Sequence, residues 1–219
     1  MESLLELQPL FWQAVIETLK IVSISLIFGG IGGLLVGLAL YTTRAGGVLQ
    51  QRVVNGALNV LVNTFRPIPF IIFIAAVQPL AREVVGTGIG DPAAIFAISL
   101  AATFGISRLV EQNLVSVPEG VIEAARSMGC SPLRIIFTVL IPEALGPLIL
   151  GYTFAIVAVI DMSAVAGFIG GGGIGNFAIQ YGYRQYDYVV TWAAVIAIIV
   201  IVQLVQFFGN WLARKALRR

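Results

Sequence analysis

The sequence predicts an all-α membrane protein with five transmembrane helices, and three observations carry that prediction. Hydrophobic residues make up 58% of the chain and charged residues only 11%, far from the balance of a water-soluble domain. A membrane-crossing helix needs about 20 mostly apolar residues, and five blocks of the chain meet that length. The connectors between them are short, polar or glycine-rich, so residues 1–219 read as one transmembrane domain.

Composition also excludes. There is no histidine and a single cysteine, Cys130, which removes imidazole-based triads, histidine metal sites and any intrachain disulfide. No metal site and no nucleic-acid surface is predicted. The pattern G-x4-G-K-[ST] is absent, so the chain has no phosphate-binding loop of that kind. Gly170 to Gly175 formally spells G-x-G-x-x-G, but nucleotide binding by that pattern needs a strand before it, and a membrane span precedes it here. The run reads instead as a sharp turn or a helix break. Glu2 and Glu6 stand where a secretory leader carries basic residues, so no cleavable signal peptide is expected.

The first span covers about 11–41. Gln13, Glu17 and Lys20 make its beginning interfacial, and Gly29, Gly33 and Gly37 repeat at the small-xxx-small spacing that lets another helix backbone approach closely. A polar connector from Thr42 to Gly56 carries Arg44 and Arg52. The second span, about 57–80, is interrupted by Arg66-Pro67-Ile68-Pro69, and paired prolines tilt or break a helix. Arg66 has two readings, lining a pathway at the bend or snorkelling from a span end. Residues 81–91 read as a glycine-containing loop, with Asp91 as the N-cap of a third span, about 92–117, whose first turn holds Pro92. Arg108 and Glu111 are spaced for a local ion pair near its end. The fourth span covers about 142–168, with a bend at Gly146-Pro147, and a glycine- and tyrosine-rich loop follows. Tyr181, Tyr183, Tyr186, Tyr188 and Trp192 read as an interfacial aromatic belt or a contact for a delivery protein. The fifth span, about 188–212, ends in Arg214, Lys215, Arg218 and Arg219.

Five spans put the termini on opposite sides of the membrane. Arg44, Arg52, Arg108, Arg126, Arg134 and the basic tail gather on one side, against Arg82 and Arg184 on the other. The positive-inside rule therefore places the N-terminus outside and the C-terminus in the cytoplasm, together with the stretch 118–142.

That stretch is the most informative part of the chain. Val121 to Met128 forms a short helix, Gly129 and Cys130 break it, and Ser131-Pro132 starts a second as N-cap and first-turn proline. Two short helices at a membrane surface make a handle for a partner. Glu123-Ala124-Ala125, Gly129, Val139 and Ile141-Pro142 resemble the loop E-A-A-x3-G-x9-I-x-L-P of ABC-importer permeases. Glu123, Ala124, Ala125, Gly129 and Pro142 match outright, and Val139 and Ile141 are aliphatic replacements.

The chain further resembles the methionine-importer permease family through Asn63-Thr64-Phe65-Arg66-Pro67-Ile68-Pro69-Phe70-Ile71-Ile72, Val85-Gly86-Thr87-Gly88-Ile89-Gly90, Gly172-Gly173-Ile174-Gly175 and Gln180-Tyr181-Gly182-Tyr183. The resemblance implies a type I ABC importer-like permease in a bacterial inner membrane, working as a homodimer on two copies of a cytoplasmic ATPase. ATP and Mg²⁺ then belong to the ATPase, and an extracytoplasmic binding protein, often a lipoprotein, delivers methionine as the D- or L-form. It also implies that Glu123, Ala124, Ala125, Gly129 and Pro142 belong to the ATPase-coupling loop.

Asp161 is the conspicuous ionisable residue of the fourth span. A carboxylate at mid-bilayer costs about 2.5–3.5 kcal/mol on insertion scales, so it faces protein or water. It reads either as a path-lining group beside Met162 and Ser163 or as a hydrogen-bonded contact between helices. The resemblance adds that family members narrow the path late in this span, here Ser163-Ala164-Val165. Other functional classes remain open from sequence: permeases for other amino acids or osmoprotectants share the loop, and an ion-coupled secondary transporter would use Asp161 as its coupling site. The lack of histidine and of a nucleophile–base pair argues against an intramembrane enzyme.

Overall fold

The computed structural model describes residues 6–217. Glu2 and the last two residues of the basic tail, Arg218 and Arg219, lie outside them. Ten labelled helices, a three-residue helix at Ile141–Glu143, and short π and 3₁₀ turns account for the regular structure among the described residues, where no strand occurs. The ten are α1 (Gln8–Thr43), α2 (Arg52–Phe65), α3 (Phe70–Ala76), α4 (Gln78–Val85), α5 (Gly90–Val115), α6 (Glu119–Ser127), α7 (Pro132–Ile135), α8 (Leu145–Ala166), α9 (Gly173–Phe177) and α10 (Tyr188–Leu217). Four of these are long and apolar enough to cross a bilayer: α1, α5, α8 with the turn that follows it to Ile169, and α10.

The centre of the molecule is the pair α1 and α5, which share the largest contact between elements. The glycine stripe explains it. A Cβ on Gly29 would lie 2.7 Å from the Ala102 methyl, one on Gly33 2.5 Å from the Ile106 Cβ, and one on Gly37 2.6 Å from the Ser107 carbonyl. The helices meet backbone to backbone, which maximises dispersion contact where no hydrophobic effect drives helices together. α8 packs on α5 and α1, and its Tyr152 hydroxyl donates to the Gly30 carbonyl at 2.8 Å. α10 covers α8 and leaves most of its own surface, including Ile196, Phe207 and Trp211, exposed as a bilayer-facing side.

The second span breaks where expected: α2 and α3 are bent by 107° at the Arg66–Pro69 break, because Pro67 and Pro69 donate no backbone hydrogen bond and their rings clash with a continuing helix. Five spans result only if this bent pair is taken as one crossing. The segment 81–91 is mostly not a loop, since α4 runs to Val85 and buries Ala81. Asp91 is not an N-cap: α5 starts at Gly90 behind Ile89, with no side-chain cap. The glycine- and tyrosine-rich segment is not a loop either. After a turn at Gly170 it folds as α9 and a π turn, Ala178–Tyr183, and this helical hairpin packs on α1 and α10.

The fourth span also bends earlier than Gly146-Pro147. A π turn at Ile136–Leu140 and a short helix at Ile141–Glu143 precede a turn at Ala144, and α8 follows. Pro142 would clash with the carbonyl a full α-turn before it. The wider π turn, closed by the Ile141 amide on the Ile136 carbonyl, absorbs that mismatch.

Candidate functional site

The stretch before α8 forms a short amphipathic handle. α6 buries Ile122 and Ala125 against the main core and turns Glu123 and Ala124 outward. It ends because Gly129 takes a left-handed φ of 75°, a conformation glycine enters without strain, while the Cys130 amide bonds back to the Ala125 carbonyl at 3.2 Å. α7 then starts with Ser131 as its N-cap residue and Pro132 in its first turn, without a side-chain capping bond. Gly129 and Pro142 are exposed, as are the apolar side chains of Met128, Leu133 and Phe137. The handle is held to the connector after α1 by two contacts. Arg126 donates to the Gly46 carbonyl at 3.0 Å, and Arg44 faces Glu119 at 3.6 Å.

The five residues singled out on α8 do not share one environment. Asp161 is exposed, and no ion pair or hydrogen bond engages it among the described residues. Met162 is half-buried and lines a cavity between α5 and α8. Ser163 is buried, and Ala164 and Val165 are half-buried. Ala164 lies under the hairpin: a Cβ on Gly175 would sit 2.2 Å from its carbonyl oxygen.

The cavity beside Met162 has a volume of about 200 Å³. Ala102, Gly105 and Ile106 of α5 and Phe154 and Ala158 of α8 supply carbon walls, while Arg66, Arg108 and Gln112 bring polar groups to it. Arg108 is engaged from α5 and from α2: it pairs with Glu111 and donates to Asn59 Oδ1 at 2.7 Å and Asn63 Oδ1 at 2.8 Å. The ion pair read from spacing is therefore also a tie between α5 and α2.

At the end where α1, α5 and α10 begin, two acidic side chains hold the hairpin. Glu17 accepts from the Gly173 amide at 2.9 Å, Asp91 from the Gly172 amide at 3.0 Å, and the Thr18 hydroxyl from the Ile174 amide at 2.8 Å. These are the unsatisfied donors at the start of α9. Sequence reasoning missed this role for Glu17 and Asp91. The only available signal was two carboxylates near apolar span ends and a glycine run with no side chains of its own. Of the aromatic cluster, Tyr181 packs on Phe177, whereas Tyr183, Tyr186, Tyr188 and Trp192 are exposed. No cluster of metal-ligating side chains occurs among the described residues.

The arrangement can carry a partner at one surface and a small solute beside α8. The chain is 40% identical over 199 residues to the probable D-methionine transport system permease protein MetI of Vibrio cholerae, spanning 91% of this chain and 88% of that one. It is 42% identical over 171 residues to the methionine import system permease protein MetP of Bacillus subtilis, spanning 78% and 77%. The fold superimposes on a chain of the MetNI methionine ABC transporter in an inward-facing conformation with a TM-score of 0.93, at 37% identity and over 96% of this chain and 98% of that one. The family model described as binding-protein-dependent transport system inner membrane component matches residues 33–218, so the chain belongs to that family.

Proposed function

We propose that this chain is the inner-membrane permease subunit of an ATP-driven methionine importer. The observation that carries the reading is the handle: a short helix anchored by Ile122 and Ala125 that presents Glu123 and Ala124, ahead of the Gly129 turn, to a partner. Relatives that span most of the chain and are named for methionine transport support the substrate. The permease works as a homodimer with its N-terminus outside, on two copies of a cytoplasmic ATPase that bind ATP and Mg²⁺, and receives methionine from an extracytoplasmic binding protein. Glu123, Ala124, Gly129 and Pro142 form the ATPase-coupling surface, and Ala125 supports it from the buried side. Closure of the ATPase pair draws the two handles together and opens the path outward. Asp161, Met162, Ser163, Ala164 and Val165 line or support that path. The family match disfavours an ion-coupled secondary transporter.

Reconstitution with the ATPase and binding protein tests the reading. Methionine uptake should require ATP and both partners, and Glu123→Ala should weaken retention of the ATPase. ATP-independent uptake by the permease alone overturns it. Uptake and assembly unchanged by Asp161→Asn would remove that residue from the path.

A further inference from the structure

The cavity between α5 and α8 carries two arginines in opposite states. Arg108 has a side-chain exposure of 14%, and three of its donors are taken up by Glu111, Asn59 and Asn63. Arg66 is exposed and lines the same cavity, and its guanidinium makes no hydrogen bond or ion pair among the described residues. Such a guanidinium offers five donors in a fork that fits a carboxylate at two points.

Its position is built rather than incidental. Arg66 stands between the end of α2 and the prolines that prevent the helix from continuing, and its amide still bonds to the Val62 carbonyl at 3.0 Å. α2 in turn is fixed on α5 by the Arg108 bonds and by Phe65 stacked on Phe104 at 5.3 Å. The charge is thus held over a carbon-walled space of about 200 Å³, the liquid volume of about six or seven waters. That suits one small amphiphile with an anionic end, an apolar body and room for a contact to the Gln112 amide.

We propose that this cavity is a station for the transported amino acid within the permease, where Arg66 binds the α-carboxylate and the walls formed by Ile106, Phe154 and Met162 take the side chain. The proposal rests on the importer reading. A phospholipid phosphate offers Arg66 the same oxyanion chemistry, so the test separates the two sources.

The test uses the permease–ATPase complex in lipid nanodiscs, with Cys130→Ser and a reporter cysteine at Met162→Cys, and Ala158→Cys as a second reporter position. Labelling of the permease by an anionic sulfonate thiosulfonate and by a cationic trimethylammonium one is compared, each rate divided by that reagent's rate with a free thiol in solution. Attraction by Arg66 should make the anionic reagent about tenfold faster; Arg66→Lys keeps that preference and Arg66→Gln abolishes it. Methionine slows labelling and methioninol, which lacks the carboxylate, does not. Equal rates for the two reagents, or equal protection by methioninol, overturn the proposal. Loss of the preference when phosphatidylcholine is replaced by phosphatidylglycerol assigns Arg66 to lipid and also overturns it. If the same complex without reporter cysteines, placed in proteoliposomes with the binding protein and ATP, imports methionine while methionine gives no protection in nanodiscs, the station fails and the importer reading stands. If it imports no methionine there, the importer reading fails first.

Discussion

The hairpin end and the handle end of this permease are tied down in different ways. At the hairpin end, Glu17, Asp91 and Thr18 accept from three successive amides, and Ile174 and Phe177 are buried beneath them. At the handle end, one arginine–carbonyl bond and one exposed ion pair join α6 to the connector after α1. Charge-assisted bonds to backbone donors away from bulk water are among the stronger polar contacts, while exposed ion pairs contribute little. The difference teaches where the molecule can yield. The hairpin end is pinned to α1 and α5 by bonds to its backbone, whereas the handle end is seated through the carbon contacts of Ile122 and Ala125 with few polar ties.

The largest effect should come from wedging the hairpin off its bed. A Cβ on Gly175 would meet the Ala164 carbonyl at 2.2 Å and its Cα at 2.5 Å, both backbone atoms that cannot rotate away. Gly175→Val should destabilise by about 3 kcal/mol or more, read as a lower Tm of the purified protein or failure to accumulate in the membrane. At the other end Gly120 has open space around it, so Gly120→Ala should leave Tm unchanged or raise it, worth at most about 1 kcal/mol. Equal losses from both substitutions would erase the contrast between the ends.

A smaller effect should follow from neutralising the acidic clasp. Glu17→Gln and Asp91→Asn preserve shape and remove charge, and each should cost about 1–2 kcal/mol. Because the two side chains hold adjacent amides, a double-mutant cycle on Tm should show coupling rather than simple addition.

Gly129 sharpens the comparison from the handle side. Its left-handed backbone has nothing around it for a side chain to strike, so the cost of Gly129→Ala is conformational, about 1 kcal/mol, and Gly129→Asn should cost less. A clear Tm loss for the alanine variant that asparagine does not reduce would mean that the turn packs against something. The smallest change belongs to Glu119→Gln, which removes the exposed pair with Arg44 and leaves Arg44 over the Tyr41 ring; the pair should contribute at most about 1 kcal/mol, and any Tm difference should shrink in high salt.

Much of this was legible in the sequence where the determinants are local. Gly29, Gly33 and Gly37 announce a close helix contact through their spacing alone, and Pro67 and Pro69 announce a break through covalent chemistry. Gly129 with Ser131-Pro132 marks the turn between α6 and α7 in the same way. What stayed hidden depends on distant partners. The segment 173–183 has few features of a helix, and it starts as one where side chains far away in sequence satisfy its amides, Glu17 across 156 positions and Asp91 across 81. Asp91 followed by proline looks like a cap locally, and its carboxylate is drawn instead to the hairpin. The distinction between Arg66 and Arg108 depends on Asn59 and Asn63, which lie 49 and 45 positions before Arg108. The π turn before α8 follows from Pro142, but its register does not follow from residue type.

The unbroken length of α1 has a mechanical consequence. At 36 residues it is about 54 Å long, and it touches the clasp with Glu17 and Thr18 while the connector that holds α6 leaves from its other extremity. A continuous post of this kind is stiff along its length. The parallel route, from Pro132 through the π turn to α8, is jointed twice. In the importer reading proposed above, work done on the handle passes along the articulated column while the solid one serves as its fulcrum.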